Sequence, residues 1–375
     1  MIIRIERLHL KNIQNIEDGE IYLKEYNNLS DGYVNELSNY IGLFGPNGSG
    51  KTTILYALHM LKSIITGDRV FRDLIKNDSE KASCSVSILL MDEESDFSYL
   101  VDYTIEYTSK GIILEEFIVK EFYEDAFSKV LFDKQYLKSG KYTSEVFNPK
   151  MLSTEIGFII EILYTFAKNK FKFIDSSVKD VVLDYSLWGI ERSDNLQLIT
   201  DIITYDTDTL DVVTKVNKVL KELIDAQVVF DLINDNECLV SFLFKDRKVR
   251  FSKESLGNRK IFNLLLYLIP LSSQSDFCLC VDEIDSSIYD MMTLVLLKSS
   301  HNSFGGQLIF TSHQFSLINP MSKYNLFFMD KGQILEFTEA PVLDEYLKFA
   351  INSNSAFKNS TKVSLKMLEV GGFYE

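Results

Sequence analysis

Along the chain, apolar and polar residues first alternate with a period of two and then, after a glycine-rich break, recur with the period of a helix. Ile2 to Leu10 and Gly19 to Leu23 carry the alternation of half-buried strands, joined by the polar turn Lys11-Asn12-Ile13-Gln14-Asn15. Tyr40 to Phe44 is an apolar run that leads straight into Gly45. From Thr52 onward, Ile54, Leu55, Leu58, Leu61 and Ile65 recur at helical spacing until Gly67 ends the pattern. Residues 83–123 are rich in Val, Ile, Tyr and Phe, with a turn signal at Lys110-Gly111, and predict a β-meander. Between about 150 and 235 the period becomes mostly helical, as in Ile156 to Ala167 and Leu210 to Leu223. Strand character returns at Cys238 to Phe244 and Val249 to Phe251. A helix starting near Asn258, the apolar strand Phe277 to Val281, another helix and the strand Gln307 to Phe310 follow. Strands alternating with helices predict an α/β fold with a largely parallel sheet and helices on its faces. The expected organisation is an N-terminal part over 1–149, an inserted helical lobe over 150–237, a second part of the same unit over 238–340 and a short helical tail over 341–375. No internal repeat or long heptad run is present, so a protruding coiled-coil arm is not expected.

Composition narrows the class. With 375 residues, 46% hydrophobic and 13% aromatic, the chain has enough apolar material for a large core. Its first residues, Met1 to Arg7, alternate like a strand and lack the charged head and apolar run of a signal peptide. Apolar runs such as Phe262 to Pro270 stop well short of the roughly 18 residues needed to cross a bilayer. A soluble, cytoplasmic protein without a membrane partner is expected. Cys278 and Cys280 alternate within an apolar strand and read as small buried hydrophobes rather than metal ligands. A net charge of -15 disfavours wholesale nucleic-acid binding by the surface. One strip departs from that balance: seven basic residues (Lys245, Arg247, Lys248, Arg250, Lys253, Arg259, Lys260) stand against Asp246 and Glu254. The strip is either a solvated strand pair or a surface that meets phosphates, of nucleotide or nucleic acid.

The candidate chemistry is concentrated after the apolar strands. Gly45-Pro46-Asn47-Gly48-Ser49-Gly50-Lys51-Thr52 has the P-loop spacing between a strand and a helix, and together with Thr53 these are the expected nucleotide contacts. Its glycines let backbone N–H groups aim at phosphate oxygens at the positive end of a helix. Lys51 is expected between the β- and γ-phosphates of ATP, and the Thr52 hydroxyl on Mg²⁺. Asp282-Glu283 follows the strand Phe277 to Val281, at the strand end where open α/β sheets bind ligands. Asp282 is the expected support of the metal shell, and Glu283 the expected general base for the attacking water. His313, at the end of the next strand, is a candidate γ-phosphate sensor, and Asp285 a candidate contact to a facing subunit. Ser255, Gly257 and Asn258 precede a helix and form either an ordinary cap or an anion site.

The order of P-loop, Ser-x-Gly segment, Asp-Glu after a strand and Ser-His after the next resembles the ABC-type ATPase heads of the RecF, SMC and OLD group. The opening Ile3 to Ile13 and the ending Leu317 to Gly332 are similar to that group as well. The resemblance covers about residues 1 to 125 and 238 to 335. It implies an ATPase head that pairs head to tail with a second copy, each ATP held between one P-loop and the other chain's Ser255 to Asn258. It also implies a setting: the ATPase subunit of a prokaryotic antiphage system, working with a separate effector such as a nuclease. A RecF-like ATPase that clamps DNA and an ATP-stabilised scaffold are the alternatives. The chain has Leu256-Gly257-Asn258 where the usual ABC-transporter signature has two adjacent glycines and a glutamine, Tyr289 where many relatives have histidine, and no glutamine between 85 and 125 for the water-positioning loop.

Overall fold

The apolar runs without polar alternation become a buried parallel sheet, and the alternating segments an antiparallel one. The computed structural model describes residues 1–23, 39–67, 74–92, 97–123, 126–141, 143–174, 202–204, 207–234, 237–286, 305–314, 317–318 and 325–336. In chain order these form β1 (Ile2–Ile13), β2 (Ile16–Tyr22), β3 (Tyr40–Phe44) and α1 (Lys51–Thr66). Then come β4 (Lys81–Met91), β5 (Phe97–Thr108), β6 (Gly111–Tyr123), β7 (Ala126–Lys141), α2 (Gly157–Thr165) and β8 (Phe171–Ile174). They are followed by β9 (Ile202–Thr204), α3 (Thr207–Ile224), β10 (Ala226–Asn234), β11 (Glu237–Phe244), β12 (Lys248–Arg250) and α4 (Leu256–Ser273). The last are β13 (Cys278–Val281), β14 (Gln307–Ser312), β15 (Leu326–Asp330) and β16 (Gln333–Glu336).

The central sheet has the order β16-β15-β3-β14-β13-β8, parallel throughout except at β16. Every residue of β3, β13 and β14 is buried, which explains their lack of polar alternation: both faces are covered. The period of two survives in which core each residue enters. Ile41, Leu43, Cys278, Cys280, Ile309, Phe327 and Met329 point into one core, which α1 and α2 also fill. Tyr40, Phe44, Leu279, Val281, Leu308, Phe310, Leu326 and Phe328 point into the other, filled by α3, α4, β10 and β11.

The second sheet, β2-β1-β4-β5-β6-β7, is antiparallel and covers the first core. The meander is longer than the expected 83–123, because β7 adds a polar edge strand whose lysines mask its regularity. The third sheet joins β10, β11 and β12, with β9 on β11.

The segment 150–237 contains the expected helices but is not wholly helical. β8 takes the outer place beside β13 in the central sheet, and β10 pairs along β11. A four-residue strand is too short for periodicity to reveal; it exists because β13 offers it a ladder. Residues 175–201 and the tail 341–375 lie outside the described residues. Among the described residues, no helix is long and apolar enough to cross a membrane.

Candidate functional site

β3 delivers the chain to Gly45, which adopts φ 143, and Gly50, with φ 112, is the N-cap of α1 and gives it no side-chain cap. The first N–H groups of α1 are therefore left for something other than a capping side chain. Pro46, Asn47 and Gly48 form the accessible crest, and a Cβ added at Gly48 would meet nothing within 4 Å. Ser49 is buried, and its Oγ has no hydrogen-bond partner among the described residues. Lys51, only 5% exposed, donates its Nζ protons to the carbonyls of Gly45 at 2.8 Å and Pro46 at 2.9 Å. Burial pushes its pKa down to about 8, against the opposing pull of Asp282, Glu283 and Asp285.

The carboxylates are placed by strand order. β14 lies between β3 and β13, and Val281 pairs with Phe310, so Asp282 emerges beside Thr311 and across from the start of α1. Asp282 Oδ1 accepts from Thr52 Oγ1 at 3.0 Å and from Thr311 Oγ1 at 2.8 Å. The Thr311 hydroxyl in turn accepts from the Glu283 N–H at 2.7 Å. Glu283 sits at φ 46, a left-handed conformation that re-aims its side chain out of the strand direction. Its Oε1 lies 3.8 Å from His313 Nε2, with both side chains partly exposed. The His313 N–H donates to Asp285 Oδ2 at 3.1 Å. Burial and then the Lys51 charge lower the His313 pKa, while Asp285, Glu283 and Asp282 oppose the shift. Desolvation wins over the carboxylates, which favours the neutral imidazole.

Thus Lys51, Thr52, Asp282, Glu283, Asp285 and His313 converge at one edge of the central sheet. Ser255, Gly257 and Asn258 do not join them: Ser255 Oγ caps α4 by accepting from the Asn258 N–H at 3.3 Å, and Glu254 accepts from Asn258 Nδ2 at 3.1 Å. Thr53, expected among the nucleotide contacts, is buried instead, with its hydroxyl placed to donate to Gln14 at 2.7 Å or Asn15 at 3.0 Å. Its hydroxyl is satisfied by the β1–β2 turn, which leaves the backbone N–H as its remaining polar contribution. Tyr289 lies outside the described residues.

Four contributors were not singled out from the sequence. Asn15 donates from Nδ2 to the Gly48 carbonyl at 2.8 Å, and Gln14 joins it on Thr53. The Gly332 N–H donates to the Ser49 carbonyl at 2.9 Å, so the β15–β16 turn braces the loop from the other side. Thr311 joins the two halves of the carboxylate hub. Only Thr311 had a sequence signal, its place two residues before His313; the others act from turns remote in sequence.

The arrangement suits a polyphosphate with a divalent cation: a bare helix start, an orphaned buried hydroxyl, a cation held on carbonyls, and a hydroxyl–carboxylate pair of hard oxygens. Residues 41–319 match the family described as "AAA domain, putative AbiEii toxin, Type IV TA system". No curated protein sequence is significantly similar. Among solved structures, an SMC head bound to the C-winged-helix domain of ScpA superposes with a TM-score of 0.54 at 13% identity, over 91% of this chain and 99% of that one. The SMC head domain from Thermotoga maritima gives 0.43 at 14% identity, over 90% and 100%. The recombination mediator protein RecF with ATP gives 0.42 at 13% identity, over 90% and 98%. With a family match across most of its length the chain belongs to this AAA family, and it has the fold of an SMC head.

Proposed function

We propose that this chain hydrolyses ATP with Mg²⁺ at a site shared head to tail between two copies, as the regulatory ATPase of a cytoplasmic antiphage system with a separate effector. The observation that carries the catalytic part is the continuous hub from Thr52 through Asp282 and Thr311 to Glu283. Mg²⁺ on Thr52, with Asp282 supporting its shell, would supply neutralisation of the phosphate charge. Lys51 would leave the carbonyls of Gly45 and Pro46 for phosphate oxygens, beside the N–H groups of Gly48, Ser49 and Gly50 and the exposed Asn47. Glu283 would take a proton from water, with neutral His313 near its carboxylate to sense the terminal phosphate. Ser255 and Asn258 are engaged in capping α4, and among the described residues no hydrogen bond joins them or Gly257 to their own P-loop. That placement supports their serving the ATP of a second copy.

Glu283→Gln should bind ATP with wild-type affinity while turnover falls about 10²-fold or more, and Lys51→Ala should lose binding. Full turnover in Glu283→Gln would remove Glu283 as the base. The defence setting is supported by the family description, which names a toxin of a toxin–antitoxin system. The effector and trigger surface would be the region around α3, within 150–237. Purifying the chain with its neighbouring gene product and weighing the complex before and after ATP turnover tests that role. If Lys51→Ala abolished assembly while Glu283→Gln left partner release unchanged, ATP would act as a scaffold ligand instead.

One observation favours a second reading, a RecF-like ATPase that contacts DNA. Lys245, Arg247, Lys248 and Arg250 are exposed around the β11–β12 turn, with the Arg247 guanidinium 4.6 Å from the Phe244 ring centroid. Salt-dependent DNA binding that is lost when Lys245 and Arg247 become glutamate would favour it.

A further inference from the structure

α4 begins at the Ser255 cap, and Lys260 lies just over one turn into the helix. Its Nζ donates to the Ser286 carbonyl at 3.2 Å and to the Ser286 hydroxyl at 3.1 Å. Ser286 closes the turn that carries Glu283, because the Ser286 N–H donates to the Glu283 carbonyl at 2.8 Å. The start of α4 and the Glu283 turn are therefore held together by a charged side chain gripping backbone, rather than by two flexible surface side chains. An ion pair between exposed side chains constrains little, whereas an ammonium on a main-chain carbonyl fixes where the chain runs.

We propose that Lys260 is a positioning residue that ties the Ser255–Asn258 segment to the Glu283 turn of the same chain, so that what binds at the first sets the geometry of the second. The consequence rests on the shared-site reading above: Ser255–Asn258 serves the partner's ATP and Glu283 its own chain's, so α4 links the two sites of a dimer.

The surroundings are suited to a contact with two settings. Asp282, Glu283 and Asp285 all attract the Lys260 ammonium, which burial otherwise disfavours. Asp285 Oδ1 is buried and has no hydrogen-bond partner among the described residues. It gives the ammonium a second acceptor in the same turn if α4 rotates. Since Asp285 also holds the His313 N–H, such a move would reach the histidine as well as Glu283. A side chain shared between two nearby acceptors is the kind of discrete alternative through which packed elements couple.

The test compares Lys260→Met, which keeps the apolar stem, with Lys260→Arg, which restores the charge. Without nucleotide, amide hydrogen exchange over residues 283–286 should run about tenfold faster in Lys260→Met, unchanged over α1, and return toward wild type in Lys260→Arg. Wild-type exchange in the methionine variant overturns the tie regardless of any ATPase result. With ATP, Lys260→Met should lower kcat about tenfold, keep KM within about twofold and abolish any sigmoidal dependence on ATP. An unchanged kcat alongside faster exchange overturns the positioning role. Ser286→Ala, which removes one acceptor, should show both changes in smaller measure and serves if Lys260→Met does not fold. A wild type without turnover would remove the ATPase reading, and the exchange comparison alone would then decide the tie.

Discussion

Gly45 has no room for even one more carbon. At its φ of 143 an L side chain is strained, and a Cβ would stand 2.3 Å from the Met329 carbonyl oxygen. Gly45→Ala should therefore cost about 1–3 kcal/mol and weaken nucleotide binding as the loop shifts, seen as a lower melting temperature and a larger Kd. Lys51 makes a second prediction, in pH. Its pKa in the nucleotide-free protein is about 8, and a bound polyphosphate would hold it charged, which raises that value in the complex. Below about pH 8 both states carry the proton and affinity is flat; above it, binding must take up a proton. Nucleotide affinity should fall as pH rises from about 8, by up to about tenfold per unit. Calorimetric titration from about pH 7 to about pH 9.5 checks this, and Lys51→Arg should flatten the profile, since arginine keeps its charge. At this scale the motif residues were legible because their chemistry is local. Asn15 and Gln14 were not, since an amide in a turn carries no sign of which loop it will meet.

Between elements, Gln307 is the clearest device. Its side chain is fully buried, and its amide accepts from the Ile5 N–H at 2.9 Å and donates to the Ile5 carbonyl at 2.9 Å. It stands in for a missing strand neighbour, joining β14 of the parallel sheet to β1 of the antiparallel one beside the register shift after Ile5. Arg4 strengthens the seam, donating to the Ser275 carbonyl at 2.5 Å and to Asn39 Oδ1 at 3.1 Å. Gln307→Leu should destabilise the protein by about 1–3 kcal/mol for each Ile5 group left without a partner, measured by denaturant unfolding. Conversely, Asn15→Ala should leave the fold intact but weaken nucleotide binding severalfold, by removing the brace on Gly48. β3, α1, β11, α4, β13 and β14 were readable from apolar runs and helical spacing. β8 and β7 were not. The first is too short to carry a period, and the second is an edge strand whose charges obscure it.

For the whole molecule, the proposed pairing of one chain's Ser255–Asn258 with the other chain's P-loop leads to a complementation test. A Lys51→Ala chain retains its Ser255 segment, and a Ser255→Arg chain retains its P-loop. Each alone should be inactive. Mixed in equal amounts, they should recover about a quarter of wild-type turnover, because about half of randomly formed dimers are mixed and each holds one intact shared site. Recovery of no activity from the mixture, with both variants shown to associate, would exclude the head-to-tail arrangement.

The sequence by itself determined the strand–loop–helix of the phosphate loop, the carboxylate pair at a strand end and the histidine one strand later. Each depends on neighbours within a few residues, where propensity and chemistry act together. Only the tertiary structure decided that β14 lies between β3 and β13, which brings Thr52, Thr311 and Asp282 within hydrogen-bond distance. It likewise decided that turns from β1–β2 and β15–β16 brace the loop, and that Lys260 reaches Ser286. The physical reason is that strand order and side-chain amide partners are set by how the two cores fill, a sum over contacts between residues hundreds of positions apart.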